Sequence, residues 1–283
     1  EIFALNSIGE VIDPLSVSCT AFAIPPTCVE SGSVFIGQNN DWLEPFGKHF
    51  VTLSIRRSSG LRILMTSPAG FIGLVGQNSK GIGVQGNGLL SSDSRPGVPT
   101  PIIIRKILEQ QSIGDAIDCV VSARRASSEN YIIADRNGEI YDVETTATDY
   151  EVFYISKRPY AHANHYTSQR LREKLLERVR GDASGTLGAS SIFGADSFVR
   201  ANRLGKLLTS YGRKVGAEHV QNCLRDHCNY PRSICRHADR VTASNKWEDR
   251  WQTCSSIVSD LSNAKSWLAY GTPCTEQYLE LTV

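Results

Sequence analysis

Short β-rich segments fill the first half of the chain and return at its end, and helical signals are confined to two blocks between them. Thr20 to Ile24, Ser33 to Gly37, Phe50 to Ile55 and Arg62 to Thr66 read as strands bounded by Gly, Pro, Ser or Asn. Gly70 to Val75 and Gly81 to Gln85 follow, divided by Gln77-Asn78-Ser79-Lys80, a predicted hairpin turn. Between Pro99 and Val121 the period changes. Ile103, Ile107, Ile113, Ile117 and Val121 recur at mostly helical spacing, which predicts two helices with a break at Gly114. Strands resume at Asn130 to Ala134, Glu139 to Glu144 and Tyr150 to Ile155. Ser168 to Arg180, Phe198 to Leu208 and Ala217 to Leu224 read as helices, with a small-residue loop at Gly181 to Gly188. Cys254 to Asp260, Trp267 to Ala269 and Tyr278 to Val283 close the pattern as strands. This order suits sheets covered by helices, a layered α+β architecture.

The 283 residues suit one large domain. Thirty basic residues against twenty-nine acidic ones give no reason to expect nucleic acid or an anionic membrane as partner. No apolar run reaches the roughly 18 residues of a membrane span, and no basic-then-apolar start marks a secretory signal. With a start at Glu1 rather than Met, a trimmed product is expected. A cytoplasmic location is favoured. The eight cysteines form an even number, yet a chain of this size needs no staples; Cys119 and Cys254 read as buried small hydrophobes.

Chemistry centres on Cys19, at the head of the first convincing strand in Val17-Ser18-Cys19-Thr20-Ala21-Phe22. A hairpin's length later stands Gly37-Gln38-Asn39-Asn40-Asp41-Trp42. Two antiparallel strands would return Asp41 to the end where Cys19 begins. Gly76-Gln77-Asn78-Ser79 and Gln85-Gly86-Asn87-Gly88 have the composition of turns. Their glycines also let backbone N–H groups approach a ligand, and an asparagine can donate to an oxyanion. His162-Ala163-Asn164-His165 repeats the theme after a strand; its histidines read as members of a polar loop.

Cys-Thr at 19–20, Gly-Gln-Asn-x-Asp at 37–41, Gly-x-Asn-Ser-x-Gly at 76–81, His-x-Asn-His at 162–165 and Asn-Tyr-Pro-x-Ser-Ile-Cys-Arg at 229–236 occur in that order. The series resembles the isopenicillin N acyltransferase (acyl-coenzyme A:6-aminopenicillanic acid acyltransferase) family of N-terminal-nucleophile hydrolases, along nearly the whole chain. The resemblance implies a four-layer αββα sandwich and a precursor that cuts itself between Ser18 and Cys19. Residues 1–18 would be the end of a leader and 19–283 a single domain. Cys19 matches the nucleophile, Asp41 the aspartate that positions it and Asn164 the oxyanion-hole asparagine. Arg250, found by counting back from Asp260, matches the arginine that pairs with Asp41. Asn87 matches an amide near the oxyanion site, and Thr146 more loosely matches a serine linked to processing. The partners implied are a small-molecule amide or acyl donor and the two fragments of one precursor; a homo-oligomer is compatible with this. No cofactor is implied. Two departures stand out: Ser18 where the family has Gly, and only eighteen residues before Cys19. The terminal Leu281-Thr282-Val283 is not the peroxisomal signal.

The implied chemistry is coherent. Cleavage would free the α-amine of Cys19, whose ordinary pKa of roughly 7.7–8.0 lets it act as the thiol's own base. Three rivals remain. A papain-like enzyme would use His162, His165 or His227 as base, but no papain-type signature surrounds Cys19. A zinc module could draw on Cys223, His227, Cys228, Cys235 and His237, but their spacing fits no standard Cys-x-x-Cys pair, and no metal is expected. A binding protein could keep the scaffold without turnover.

Overall fold

The computed structural model describes residues 1–7, 18–90, 93–181, 194–212, 215–238 and 250–283. Two antiparallel sheets lie face to face. The six-stranded sheet has the order β10-β1-β2-β11-β12-β13, built from Tyr160–His162, Ser18–Ile24, Phe35–Leu43, Trp251–Asp260, Lys265–Tyr270 and Leu279–Thr282. The seven-stranded sheet runs in sequence order from β3 to β9: Phe50–Arg56, Arg62–Pro68, Val75–Asn78, Gly83–Gly88, Glu129–Ala134, Ile140–Thr145 and Tyr150–Tyr154.

Burial sets the layers. Along β1, Ala21 and Ala23 face the second sheet and pack with Ile132, Ala134 and Ile140, while Phe22 and Ile24 face the opposite way. The outward pair lies under α5 (Ala195–Ser210) and α6 (Ala217–Leu224), through Leu204, Leu208, Val220 and Leu224. On the far side, Ile63, Met65, Val84 and Ile133 pack under α2 (Thr100–Ile107) and α3 (Ile113–Val121). The result is the expected αββα sandwich. Fully burying side chains such as Phe22, Ile24 and Ile36 contributes about 1.5–3 kcal/mol each. The remaining helices are a short α1 (Ile2–Asn6) and α4 (Gln169–Gly181). Among the described residues, no helix is long and apolar enough to cross a membrane.

Four sequence expectations need correction. The helix break falls at 108–112 rather than at Gly114, because Ser112 caps α3 by accepting from the Asp115 N–H at 3.2 Å. Gly70 to Leu74 precedes β5 without joining it. Gln85 to Gly88 is not a turn: all four residues lie in β6, paired with β7 from Gly88↔Glu129 to Gln85↔Ile132. The turn between β5 and β6 sits one residue later than predicted, with Gly81 at φ +85° and the Asn78 side chain accepting from the Lys80 and Ile82 N–H groups. Most of the predicted loop at 181–188 lies outside the described residues.

The run Gly37 to Asp41 continues as β2 despite its polar side chains. As a central strand it finds partners on both faces. Asn39 donates to the Leu224 and Ile234 carbonyls at 2.9 and 2.8 Å, and Gln38 Oε1 accepts the Gly86 N–H across the sheets at 2.9 Å. Gly37 is required where it stands, since a Cβ there would meet the Ile257 carbonyl oxygen at 2.2 Å.

Candidate functional site

The β1–β2 hairpin sets the first relation. Its register places Ser18 opposite Asp41 and Cys19 opposite Asn40, so the carboxylate returns to the head of β1. A second relation spans 145 residues: the Cys19 backbone N–H donates to Asn164 Oδ1 at 3.0 Å. Asn164 follows β10, which pairs with the other edge of β1 through Ala21↔His162.

The segment bearing Asn164 is held by a buried polar group. Glu144 accepts from the Thr167 and Ser168 N–H groups at 2.6 and 2.9 Å and lies 3.0 Å from His162 Nε2. Burial pushes the neighbouring Asp142 carboxyl up to about 6, opposed chiefly by His162, and the Tyr160 hydroxyl donates to it at 2.7 Å. The Asn164 N–H donates to Ser197 Oγ at 2.8 Å, which ties the loop to α5.

Arg200 of α5 binds these parts together, although sequence reasoning missed it. Its guanidinium, 2% exposed, donates to the Cys19 carbonyl at 2.5 Å, to Thr20 Oγ1 at 2.8 Å and to Asn164 Oδ1 at 2.9 Å. Its Nε pairs with Asp196 at 3.2 Å. With two donors on Oδ1, the Asn164 amide is oriented so that Nδ2 donates to the Gly88 carbonyl at 3.0 Å. A signal was available: Arg200 shares the buried face of its helix with Ser197, Ala201, Leu204 and Leu208.

Asp41 is fully buried and its two oxygens are held by hydroxyls, Ser18 at 2.9 Å and Thr253 at 2.7 Å. Burial raises its carboxyl above the ordinary value, opposed by the guanidiniums of Arg200 and Arg236. Arg236 donates to Ser18 Oγ at 3.0 Å and pairs with Asp196 at 3.3 Å. It closes the Asn-Tyr-Pro-x-Ser-Ile-Cys-Arg run, so the motif contained it without revealing its place.

Arg250 does not make the expected pair with Asp41. It lies 3.3 Å from Glu44, and its buried Nε has no hydrogen-bond partner among the described residues. Register explains this: Thr253, not Arg250, is opposite Asp41. Three residues along a strand place Arg250 about 10 Å farther on.

Cys19 is 7% exposed. Burial raises its thiol pKa most, with the negative charges of Asp41 and Glu129 adding to the effect; the Asp41 N–H and Arg200 work the other way. The sulfur of the uncut chain is therefore a neutral thiol, and attack needs a proton acceptor. The histidines are engaged elsewhere, His162 with Glu144 and Asn87 and His165 with Ser197. Burial pushes the His165 imidazole down to about 4, so it is neutral at pH 7. Asn87 accepts from His162 Nδ1 at 3.3 Å, and its fully buried Nδ2 has no partner among the described residues. That nitrogen is a free donor. Thr146 lies in the turn after β8, where its hydroxyl donates to Asp93 at 2.8 Å. All eight cysteines are free thiols, and Cys119 and Cys254 are buried as expected.

Comparison with known proteins agrees with this architecture. The sequence model of the acyl-coenzyme A:6-aminopenicillanic acid acyl-transferase family matches residues 28–274, which include Asp41, Asn164 and Arg250 but begin after Cys19. The 40 kDa form of acyl-coenzyme A:6-aminopenicillanic-acid-acyltransferase from Emericella nidulans is 28% identical over 250 residues, covering 87% of this chain. The chain spans 63% of that protein's length. Among solved structures, the Caenorhabditis elegans ortholog of N-acylethanolamine-hydrolyzing acid amidase superposes with a TM-score of 0.57 at 16% identity, over 86% of this chain and 93% of that one. A mutant conjugated bile acid hydrolase from Clostridium perfringens gives 0.59 at 14%, over 94% and 92%. Penicillin V acylase from Agrobacterium tumefaciens gives 0.59 at 12%, over 94% and 86%. These likenesses establish the fold as that of the N-terminal-nucleophile hydrolases.

Proposed function

Since the chain belongs to the acyl-coenzyme A:6-aminopenicillanic acid acyl-transferase family, whose members act on amides as acyltransferases or hydrolases, we propose that it cuts itself between Ser18 and Cys19 and then works through the freed cysteine. The observation that carries this reading is the Cys19 N–H bound to Asn164 Oδ1 at 3.0 Å, one residue from the Ser18–Asp41 contact at 2.9 Å. The nitrogen that would become the amine is thus already held.

In the first stage the Cys19 sulfur attacks the Ser18 carbonyl. The carbon–nitrogen bond breaks, the thiol proton passes to the departing nitrogen, and a thioester joins Ser18 to Sγ. Water then cleaves the thioester, giving a Ser18 carboxylate and a free Cys19 with its own α-amine. Ser18 Oγ occupies the space between Asp41 and Arg236 before the cut. Its departure would leave Asp41 to face the new ammonium. In the second stage the neutral amine takes the thiol proton, the thiolate attacks a substrate acyl carbon, and an acyl-thioester forms on Cys19. Asn87 Nδ2 and Asn164 Nδ2 are the candidate donors for the oxyanion. The first is free, and the second would turn from Gly88. Hydrolysis is the favoured outcome because water is always available. A small N-acyl or peptide-like amide is the favoured substrate class.

The fragments would stay together. Asn6 in α1 is buried, donates to the Gly70 carbonyl at 3.1 Å and accepts the Ile72 N–H at 2.9 Å. N-terminal sequencing of the purified protein under denaturing conditions tests the processing. Two fragments are expected, the larger beginning at Cys19. An intact chain, stable on prolonged incubation, would refute the cut.

A further inference from the structure

Four ligand-type side chains outside the Cys19 site converge on one point. His227, Cys235, His237 and Cys274 each bring one ligand atom to within 4.8 Å of all the others. Cys223 and Cys228, which the sequence grouped with them, stay out. Cys223 lies on the buried face of α6 and packs into the core, and Cys228 is exposed. Cys274, distant in sequence, takes the fourth place, so local spacing could not reveal the set.

The distances have a pattern. His237 Nε2 lies 3.0 Å from His227 Nε2, 3.6 Å from Cys235 Sγ and 3.4 Å from Cys274 Sγ. A ring nitrogen offers one lone pair or one N–H, so hydrogen bonding cannot satisfy three partners at once. A cation among the four atoms satisfies them all. With zinc–nitrogen bonds of about 2.05 Å and zinc–sulfur bonds of about 2.3 Å, a tetrahedron has edges of about 3.3 Å between nitrogens and about 3.5 Å between nitrogen and sulfur. The three separations from His237 lie within about 0.3 Å of these edges, and the other three are no more than 4.8 Å.

We propose that His227, Cys235, His237 and Cys274 form a tetrahedral zinc site that fixes Arg236 beside the Ser18–Cys19 bond. A mixed sulfur and nitrogen set in this geometry selects Zn²⁺, and two thiolates neutralise its charge. Binding releases the two thiol protons to solvent and requires no oxidant. Cys235 is buried while His227 is exposed, so the ion has a route in. The site joins three separate stretches of chain: the segment after α6, the 235–237 run and the turn after β12. Arg236 lies between two of the ligands. Its backbone N–H and carbonyl both bond to Thr253, at 2.9 and 3.0 Å, and its side chain reaches Ser18 and Asp196. Arg236 is thus a positioning residue, and the zinc site anchors it.

Elemental analysis of the full chain, loaded with Zn²⁺ under reducing conditions and then desalted, tests the site. About one zinc per chain is expected in the wild type and in Cys228→Ser, falling at least about fivefold in Cys235→Ser and Cys274→Ser. Cobalt in place of zinc should show a thiolate-to-metal charge-transfer band that Cys274→Ser weakens. Wild-type protein that retains no zinc, or that carries a Cys235–Cys274 disulfide under these conditions, overturns the site. For the anchoring, a chelator should slow cutting at Ser18 about tenfold or more, with Zn²⁺ but not Mg²⁺ restoring it. Stoichiometric zinc with unchanged cutting overturns the role assigned to Arg236. Because zinc content is read without any cleavage, failure of the site and failure of the processing are separate results.

Discussion

Cys19→Ala is expected to yield a single uncut chain with no amide-cleaving or acyl-transferring activity, a loss of at least about 10⁴-fold. The substitution removes the sulfur proposed to attack the Ser18 carbonyl, and with it the proposed acyl carrier of the second stage. Cys19 is buried, but alanine fits the same strand position, as Ala21 and Ala23 do two and four residues on. The cost in stability should therefore be about 1 kcal/mol. A cooperative melt close to that of wild type would show that chemistry, not folding, was lost. Cutting at the same bond in Cys19→Ala would assign the cleavage to another nucleophile or to a contaminating protease.

The second large effect is expected at Asn164. Its two side-chain atoms do different work: Oδ1 accepts from Cys19 and Arg200, while Nδ2 is a donor. Asn164→Asp keeps the acceptor and loses the donor; Asn164→Ala loses both. If Nδ2 turns to stabilise the oxyanion, both variants should lose about 10²- to 10³-fold in kcat, roughly 3–4 kcal/mol. Only the alanine variant should also misplace the Cys19 nitrogen and slow self-cleavage. Single-turnover acylation and the rate of precursor cutting, measured separately, check this. An aspartate variant with wild-type turnover would remove Nδ2 from the mechanism.

Much of the fold could be read from the sequence because its signals are local. The run Ala217 to Leu224 is a helix with the predicted bounds, and Glu139 to Glu144 differs from β8 by one residue at each end. The limits fell where tertiary pairing outweighs composition. Gln38 to Asp41 and Gln85 to Gly88 carry turn-type residues yet form central strands, because backbone pairing with the neighbouring strands outweighs composition, and Asn39 Nδ2 and Gln38 Oε1 find partners off the strand. At the site, hairpin return was enough to bring Asp41 beside Cys19, since it depends on a single turn. Arg200 and Arg236 reach the same point from α5 and from the segment before β11, and no local pattern encodes that meeting. Arg250 failed for the complementary reason. Counting back from Asp260 gave its place in the sequence, but the register of β11 against β2 carries it past the carboxylate to Glu44. Cys274 joins His227, Cys235 and His237 in the same long-range way.

The most direct measurement is to trap the acyl-enzyme. Processed protein is mixed with a reactive N-acyl amide or acyl thioester, quenched in acid within the first turnover, and mapped by peptide mass spectrometry. The predicted result is one acyl group on the peptide that begins at Cys19, bound at sulfur and released by hydroxylamine. Turnover of the same substrate with Cys19 unmodified, or with the acyl group on another residue, would contradict the assignment of Cys19 as nucleophile.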